Sequence, residues 1–434
     1  MGSVMCGKMG PLSRGFPRVF CILILSRQIE QRGSYYNFGC GSWNKRIIIL
    51  NLHWRIKIRI MDHFKAGTYL DQGSYRSFIP SMINREWTIH EMNVLTLLSK
   101  ADRMLGRLDM FSEHIPNIDL FIRMHIAKEA TQSSRIEGTQ TNIQQAVMPE
   151  ESIPLDKRDD WAEVQNYISA MNQAIPRMEK LPLSGRLIRE VHAELMKGVR
   201  GKNKQPGEFR TSQNWIGGSN INDAVFVPPP FGMIPELMTD IEMFIHNPKT
   251  QLPDLLKIAL IHYQFETIHP FNDGNGRTGR LLITLYLVSK GLLKRPVLYM
   301  SDYLERHRNS YYSSITKVRT DNDITQWLCF FLQGIIETAE KGVNTFNSIL
   351  DLEKRNEGII QQMGPRSANA MTVVKDLYIR PIIDAKRVAE LCGITPASAY
   401  NLISDLEERG ILSEVTGGKR GRLYAMQAYM ELFG

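Results

Sequence analysis

A chain of 434 residues, 43% of them hydrophobic, is long enough for two or three domains with buried cores, which excludes a disordered tail or a disulfide-stapled mini-protein. The net charge of +8 invites a nucleic-acid partner, but ten of the 53 basic residues and one of the 45 acidic residues fall within residues 1–60, so the rest is nearly balanced. Three of the five cysteines (Cys6, Cys21, Cys40) also lie there; Cys329 and Cys392 alone in the body give no disulfide framework, and no run of about twenty apolar residues offers a membrane span.

Within residues 1–60, the apolar run 18–25 follows basic residues like a signal peptide but is short and lacks a small-residue cleavage site, and 46–60 alternates like a strand. Ordinary sequence begins at Met61, so residues 1–60 are expected to be upstream sequence included by a wrongly assigned start. An extended aromatic stretch (75–80) precedes a long helix beginning near Trp87. In 118–141, Ile122, Ile126 and Ala130 line one helix face, and Gly138 is a plausible cap. Taken alone, Ser133, Glu137 and Gly138 read as an ordinary charged helix end. Amphipathic helices follow at about 161–174 and 184–199. Residues 201–230, rich in Gly, Pro and Asn with short apolar pairs, predict a hairpin and loop.

Residues 254–268 read as a buried helix, with Leu255, Ile258, Ala259, Ile261, His262 and Phe265 near one face. Pro270 cannot continue it and biases His269 away from helical backbone. The stretch 269–280, HPFNDGNGRTGR, must therefore turn. Gly274 and Gly276 flank Asn275 and allow an anion nest of bare N–H groups. Apolar periodicity resumes at Leu281, so a second helix aims its positive N-terminus at the nest. Arg277 and Arg280, three apart, are expected to face one side and offer planar donors to phosphate oxygens. Asp273 suits a hard cation such as Mg²⁺ bridging phosphates, and His269 suits proton abstraction from an attacking hydroxyl.

The twelve residues resemble the signature of the Fic family, His-Pro-Phe-x-(Asp/Glu)-Gly-Asn-Gly-Arg-x-x-Arg, at every specified position. The resemblance implies a helical enzyme that transfers AMP from ATP to a Ser, Thr or Tyr hydroxyl of a protein. It makes His269 the general base and Asp273 the Mg²⁺ ligand. It counts Asn272, Gly274, Asn275, Gly276, Arg277 and Gly279 among the nucleotide-binding residues, assigns Arg280 to the γ-phosphate, and packs Phe271 into the core. Ser133, Glu137 and Gly138 then resemble the family's inhibitory motif, in which the glutamate pairs with the second signature arginine and denies it to ATP. The PGEFR and VPPP segments resemble the ends of a flap that aligns the target as an added strand. Tyr303, Tyr311 and Tyr312 are candidates for the adenine wall or for the core.

Residues 385–426 resemble a winged helix-turn-helix. A helix is expected from about Thr395 to Arg409, with Ser398, Tyr400 and Asn401 near its exposed start and a basic wing of Lys419, Arg420 and Arg422. The acidic residues Asp405, Glu407 and Glu408 argue against tight DNA binding, so DNA contact and protein docking both stand. The expected architecture is mainly α: a Fic helical fold with a small β-hairpin flap and a C-terminal winged helix-turn-helix. The expected divisions are 1–60 (basic extension), 61–145 (N-terminal helices with the inhibitory helix), 146–345 (catalytic core) and 346–434 (linker helix and winged helix). The expected activity is a cytoplasmic protein adenylyltransferase using ATP and Mg²⁺, autoinhibited by Glu137, acting on a protein target or on itself, with no membrane partner and with oligomers allowed. The other function class is a nucleotide-sensing transcriptional regulator without turnover.

Overall fold

A computed structural model describes residues 64–114, 118–198, 204–418 and 421–433. The expectations for residues 1–60, and for Lys419 and Arg420 of the wing, lie outside these residues.

The extended aromatic stretch folds as an antiparallel hairpin, β1 (Gly67–Asp71) with β2 (Arg76–Pro80), in the register Gly67 to Pro80 and Asp71 to Arg76. It docks through Phe78, whose N–H donates to the Val227 carbonyl at 2.9 Å. The long helix α1 (Met92–His114) runs along a 38-residue helix, α11 (Ile324–Gln361), which the sequence left as one helix or two. A Cβ at Gly342 of α11 would lie 2.9 Å from Leu108 of α1, so glycine permits their close approach.

Between these lie α2 (Ile118–Ile136), the short α3 (Ile143–Val147), α4 (Arg158–Arg177), α5 (Gly185–Leu195), α6 (Ile234–His246), α7 (Asp254–Ile268), α8 (Asn275–Ser289), α9 (Ser301–Arg306) and α10 (Arg308–Asp321). Side-chain caps start several of them: Ser184 accepts the Leu187 N–H, and Asp323 accepts the Gln326 N–H at the head of α11. α7 is buried nearly all round and pairs with α8, so the turn joining them is held by the centre of the core.

α2 is buried on more than the one predicted face. Besides Ile122, Ile126 and Ala130, it buries His125, Glu129, Thr131, Ser133 and Ser134. Glu129 is satisfied inside the protein by the hydroxyls of Tyr167 (3.1 Å) and Ser301 (2.5 Å) and by the Ser301 N–H (3.1 Å). Hydropathy periodicity cannot reveal such a face, because its residues are polar and find partners only after folding.

The C-terminal segment runs α12 (Ser367–Ile379), β3 (Ile382–Asp384), α13 (Ala385–Cys392), α14 (Pro396–Glu408), β4 (Ser413–Glu414), β5 (Leu423–Ala425) and α15 (Gln427–Met430), with an antiparallel sheet of order β3-β5-β4. β3 adds a strand to the two predicted ones. Gly393 and Gly410 both take positive φ as helix ends, and Thr395 caps α14 by accepting the Ser398 N–H. Tyr400 is 54% exposed on α14, and Asp405 is paired with Arg366. α12 packs on α2, and Phe433 meets the ring of His125 edge-on at 4.9 Å. Among the described residues, no helix is long and apolar enough to cross a membrane.

Candidate active site

α7 stops at His269, which takes left-handed backbone (φ 50, ψ 61) while its N–H donates to the Phe265 carbonyl at 2.9 Å. The proline after it predicts a departure from the helix; the direction taken is left-handed, a strained choice for a non-glycine residue. Arg210 holds it there. Its Nε donates to the His269 carbonyl (3.0 Å), its Nη2 to the carbonyls of Pro229 (2.6 Å) and Ile268 (3.4 Å), its Nη1 to that of Ser212 (3.1 Å), and its backbone N–H to that of Pro270 (2.9 Å). Burial pushes this guanidinium down to about 10, and its place at the negative end of α7 offsets the missing carboxylate. Arg210→Leu is expected to lower stability by about 3 kcal/mol, because it leaves several buried carbonyls without donors. A shift in the urea midpoint checks this; a loss under about 1 kcal/mol would remove Arg210 from this role.

Asn275 closes the loop on itself, its Oδ1 accepting the Phe271 N–H (2.8 Å) and its Nδ2 donating to the Phe271 carbonyl (2.9 Å). Its side chain, 1% exposed, thus shapes the turn, leaving only its backbone N–H for a ligand. Phe271 is fully buried and stacks on His192 at 3.7 Å, with the rings 3° from parallel. His192 Nδ1 accepts the Gly207 N–H (2.9 Å), so the proton resides on Nε2, which donates to the Asp273 carbonyl (2.9 Å). Burial pushes this imidazole down to about 4, which keeps it neutral. Gly274 (φ 73) has no room for a side chain, since a Cβ would lie 2.7 Å from Met196 Sδ. The first bond within α8 is Thr278 N–H to the Gly274 carbonyl, so the N–H groups of residues 275–277 precede the helix's own acceptors.

Asp273 is exposed, and its Oδ1 accepts the Gly274 N–H at 2.7 Å. Its other oxygen makes no hydrogen bond among the described residues, and no group of three or more His, Cys, Asp or Glu gathers there. One carboxylate with an open oxygen fits Mg²⁺ of the kind that keeps its waters and takes its remaining ligands from substrate phosphates. Asn272 donates to Gln205 Oε1 at 3.3 Å.

The two signature arginines do not act on one side as their spacing predicts. Arg280 reaches α2: Nε donates to Ser133 Oγ (2.9 Å), and Nη2 to the Ser133 carbonyl (2.9 Å) and to Glu137 Oε1 (2.7 Å). Arg277 reaches α4 instead, Nη1 donating to Glu163 Oε2 (3.3 Å) while Nη2 faces Met196 Sδ (3.5 Å). Both are buried, and side-chain length lets neighbours on one helix face diverge to different carboxylates. Burial raises the Glu137 carboxyl, but Arg280 outweighs it and holds the carboxyl below the ordinary range. Gly276 makes the approach possible, because a Cβ there would lie 2.3 Å from Glu137 Oε1.

His269 is half-buried, and its Nδ1 is shut off from solvent, which leaves Nε2 as the nitrogen that can meet a reactant. Burial first, and Arg210 with it, pushes the ring down to about 4 against the upward pull of Glu137. One turn earlier, burial pushes the Glu266 carboxyl up to about 7; a Cβ at Gly279 would meet its Oε1 at 2.3 Å. Gly279 itself is held by His262, whose Nδ1 donates to its carbonyl (3.0 Å) and whose Nε2 accepts the Tyr311 hydroxyl (2.9 Å). Tyr303 and Tyr311 are therefore core residues, and Tyr312, 44% exposed, remains at the surface. The flap is a narrow hairpin joined at Ile216 and Phe226, with Trp215 and Val225 exposed and Asn214 Nδ2 donating to the Phe271 carbonyl at 3.1 Å.

Sequence reasoning singled out His269, Asp273, Arg280, Ser133 and Glu137, and the fold brings the arginine, serine and glutamate into contact. It passed over Arg210, His192, Glu163 and Glu266 as site residues; the PGEFR segment was the one local signal for the first.

The chain matches the Fic/DOC family N-terminal region over residues 95–176 and the Fic/DOC family over residues 182–287. It is 36% identical over 125 residues to "Protein adenylyltransferase Fic" of Aedes aegypti, a stretch covering 29% of this chain and 22% of that protein. It is 32% identical over 215 residues to "Probable protein adenylyltransferase" of Aquifex aeolicus, covering 49% and 58%. The chain thus spans less than two thirds of either relative. A crystal structure of a Fic family protein from Desulfovibrio desulfuricans G20 shares the fold with a TM-score of 0.50 at 19% identity, covering 79% of this chain and 98% of that one.

Proposed function

Because the chain belongs to the Fic/DOC family, we propose that it is a protein adenylyltransferase, transferring AMP from ATP to a Ser, Thr or Tyr hydroxyl and held inactive by Glu137. His269 Nε2 takes the proton as the hydroxyl oxygen attacks the α-phosphorus, a new P–O bond forms, and the bond to the pyrophosphate oxygen breaks. The N–H groups opening α8 receive phosphate oxygens, and Arg280 receives those of the γ-phosphate once Glu137 has left. Asp273 would hold Mg²⁺, which when bound supplies charge neutralisation across the phosphates. In this reading the target hydroxyl lies against the flap, to which an extended segment would add as a strand.

The observation that carries this reading is a half-buried His269 beside a helix N-terminus whose distal arginine is taken by a carboxylate, with burial favouring the neutral form of the histidine. A sensor that only binds nucleotide needs the nest but not the base. Transfer of label from ATP marked at the α-phosphorus tests the reading, with label on protein expected when Glu137 is removed. ATP binding without labelled protein would favour the sensor.

A further inference from the structure

We propose that Glu163 is a positioning residue that latches the inhibitory segment to the first signature arginine, so that inhibition has two carboxylates and not one. The inference rests on the adenylyltransferase reading. One oxygen, Glu163 Oε2, accepts from Arg277 Nη1 at 3.3 Å and from Thr139 Oγ1 at 3.2 Å. Thr139 is 7% exposed and lies two residues beyond Glu137, directly after Gly138 at φ 102. The next residue is tied to the same helix, the Gln140 N–H donating to Asp160 Oδ2 at 3.0 Å. The backbone that carries Glu137 is therefore anchored to α4 just beyond the glutamate, and moving it away from Arg280 breaks these contacts.

The other end of the latch is a cation short of acceptors. Arg277 is 5% exposed, one of its nitrogens faces a thioether sulfur, and its Nε is buried with no hydrogen-bond partner among the described residues. A phosphate oxygen in the nest would offer Arg277 a stronger acceptor than this shared, 3.3 Å contact. Phosphate and Glu163 thus compete for Arg277 as phosphate and Glu137 compete for Arg280. When phosphate takes Arg277, Glu163 loses a donor, and its grip on Thr139 changes with it. Nucleotide binding and release of the segment are in this way linked through one carboxylate, a link absent from either arginine alone.

The test uses the full chain, ATP labelled at the α-phosphorus, and Glu163→Gln and Thr139→Val, each alone and with Glu137→Gly. Glu163→Gln alone is expected to raise basal transfer about fivefold, the factor for one hydrogen bond of ordinary net strength. In the Glu137→Gly background it is expected to lower the KM for ATP by a similar factor with kcat unchanged, whereas Thr139→Val leaves that KM where it was. A raised KM or a reduced kcat in the double variant would mean that Glu163 only supports the fold, and would overturn the latch. If Glu137→Gly transfers no AMP, the adenylyltransferase reading fails separately. ATP affinity by calorimetry then decides the latch: tighter binding by Glu163→Gln supports it, and unchanged affinity overturns it.

Discussion

Replacement of Glu137 by glycine is expected to raise AMP transfer by about a hundredfold. Arg280 has Nε committed to Ser133 Oγ, while its Nη2 serves both the Ser133 carbonyl and Glu137. A nucleotide that needs this guanidinium must first displace the carboxylate. Breaking a buried pair of this kind costs about 3 kcal/mol or more, and about 1.4 kcal/mol is a factor of ten in rate. The Glu137 side chain is 39% exposed while that of Arg280 is 1% exposed, so solvent screens one partner and the low end of the range applies. Glu137→Gln, which keeps the shape and removes the charge, is expected to fall between the two. A rate for Glu137→Gly equal to that of the wild type would contradict the inhibitory role, whatever the distance between the two side chains.

His269→Ala, made in the Glu137→Gly background, is expected to lower transfer by about a thousandfold, the middle of the range for a general base. ATP affinity should change little, since the N–H groups opening α8 and the arginines remain. The pH profile separates this role from a structural one. A base works in its neutral form, which exists above its pKa, and His269 is pushed down to about 4 by burial and Arg210 against the pull of Glu137. Its limb should therefore appear only as pH falls through about 4, and lower still once Glu137 is removed, with no inflection near the ordinary histidine value. Beside His269, burial pushes the Glu266 carboxyl up to about 7, so this group changes charge near neutrality. An inflection there is expected to disappear in Glu266→Gln, whereas one that persists near 6.5 would assign the base an ordinary environment and contradict the structure.

The signature was legible in the sequence because its geometry is local. Twelve contiguous residues contain the helix stop, the left-handed glycine and the restart, and the side chain that closes the loop, Asn275, bonds only four residues back. The contact of Ser133 and Glu137 with Arg280 was legible only through a resemblance, because they lie 147 and 143 residues from Arg280 and carry no periodic signal that joins them to it. What stayed hidden depends on partners chosen in three dimensions. Arg210 holds carbonyls 58 and 59 residues away, and His192 orients the loop from 81 residues away. Glu163 draws Arg277 from the side that spacing assigned to it, at a separation of 114 residues. Spacing tells which face of a helix a Cα occupies. It does not tell where a long guanidinium ends.

The helical fold was legible for a related reason. α1, α4 and α5 each carry an apolar face that periodicity detects, α7 and α8 are rich enough in apolar residues to read as buried helices, and capping residues such as Ser184 and Asp323 mark where some helices start. α2 was legible on one face only, because its remaining buried residues are polar and their partners come from α4 and α9. That second, polar face carries Ser133, so the part of the helix hardest to read from sequence is the part that meets Arg280.

The most direct measurement compares three proteins with ATP labelled at the α-phosphorus: the wild-type chain, Glu137→Gly, and Glu137→Gly with His269→Ala. Label on protein is expected from the second far above the first, with loss of that label in the third. Equal labelling by the first two, or undiminished labelling by the third, would contradict this mechanism.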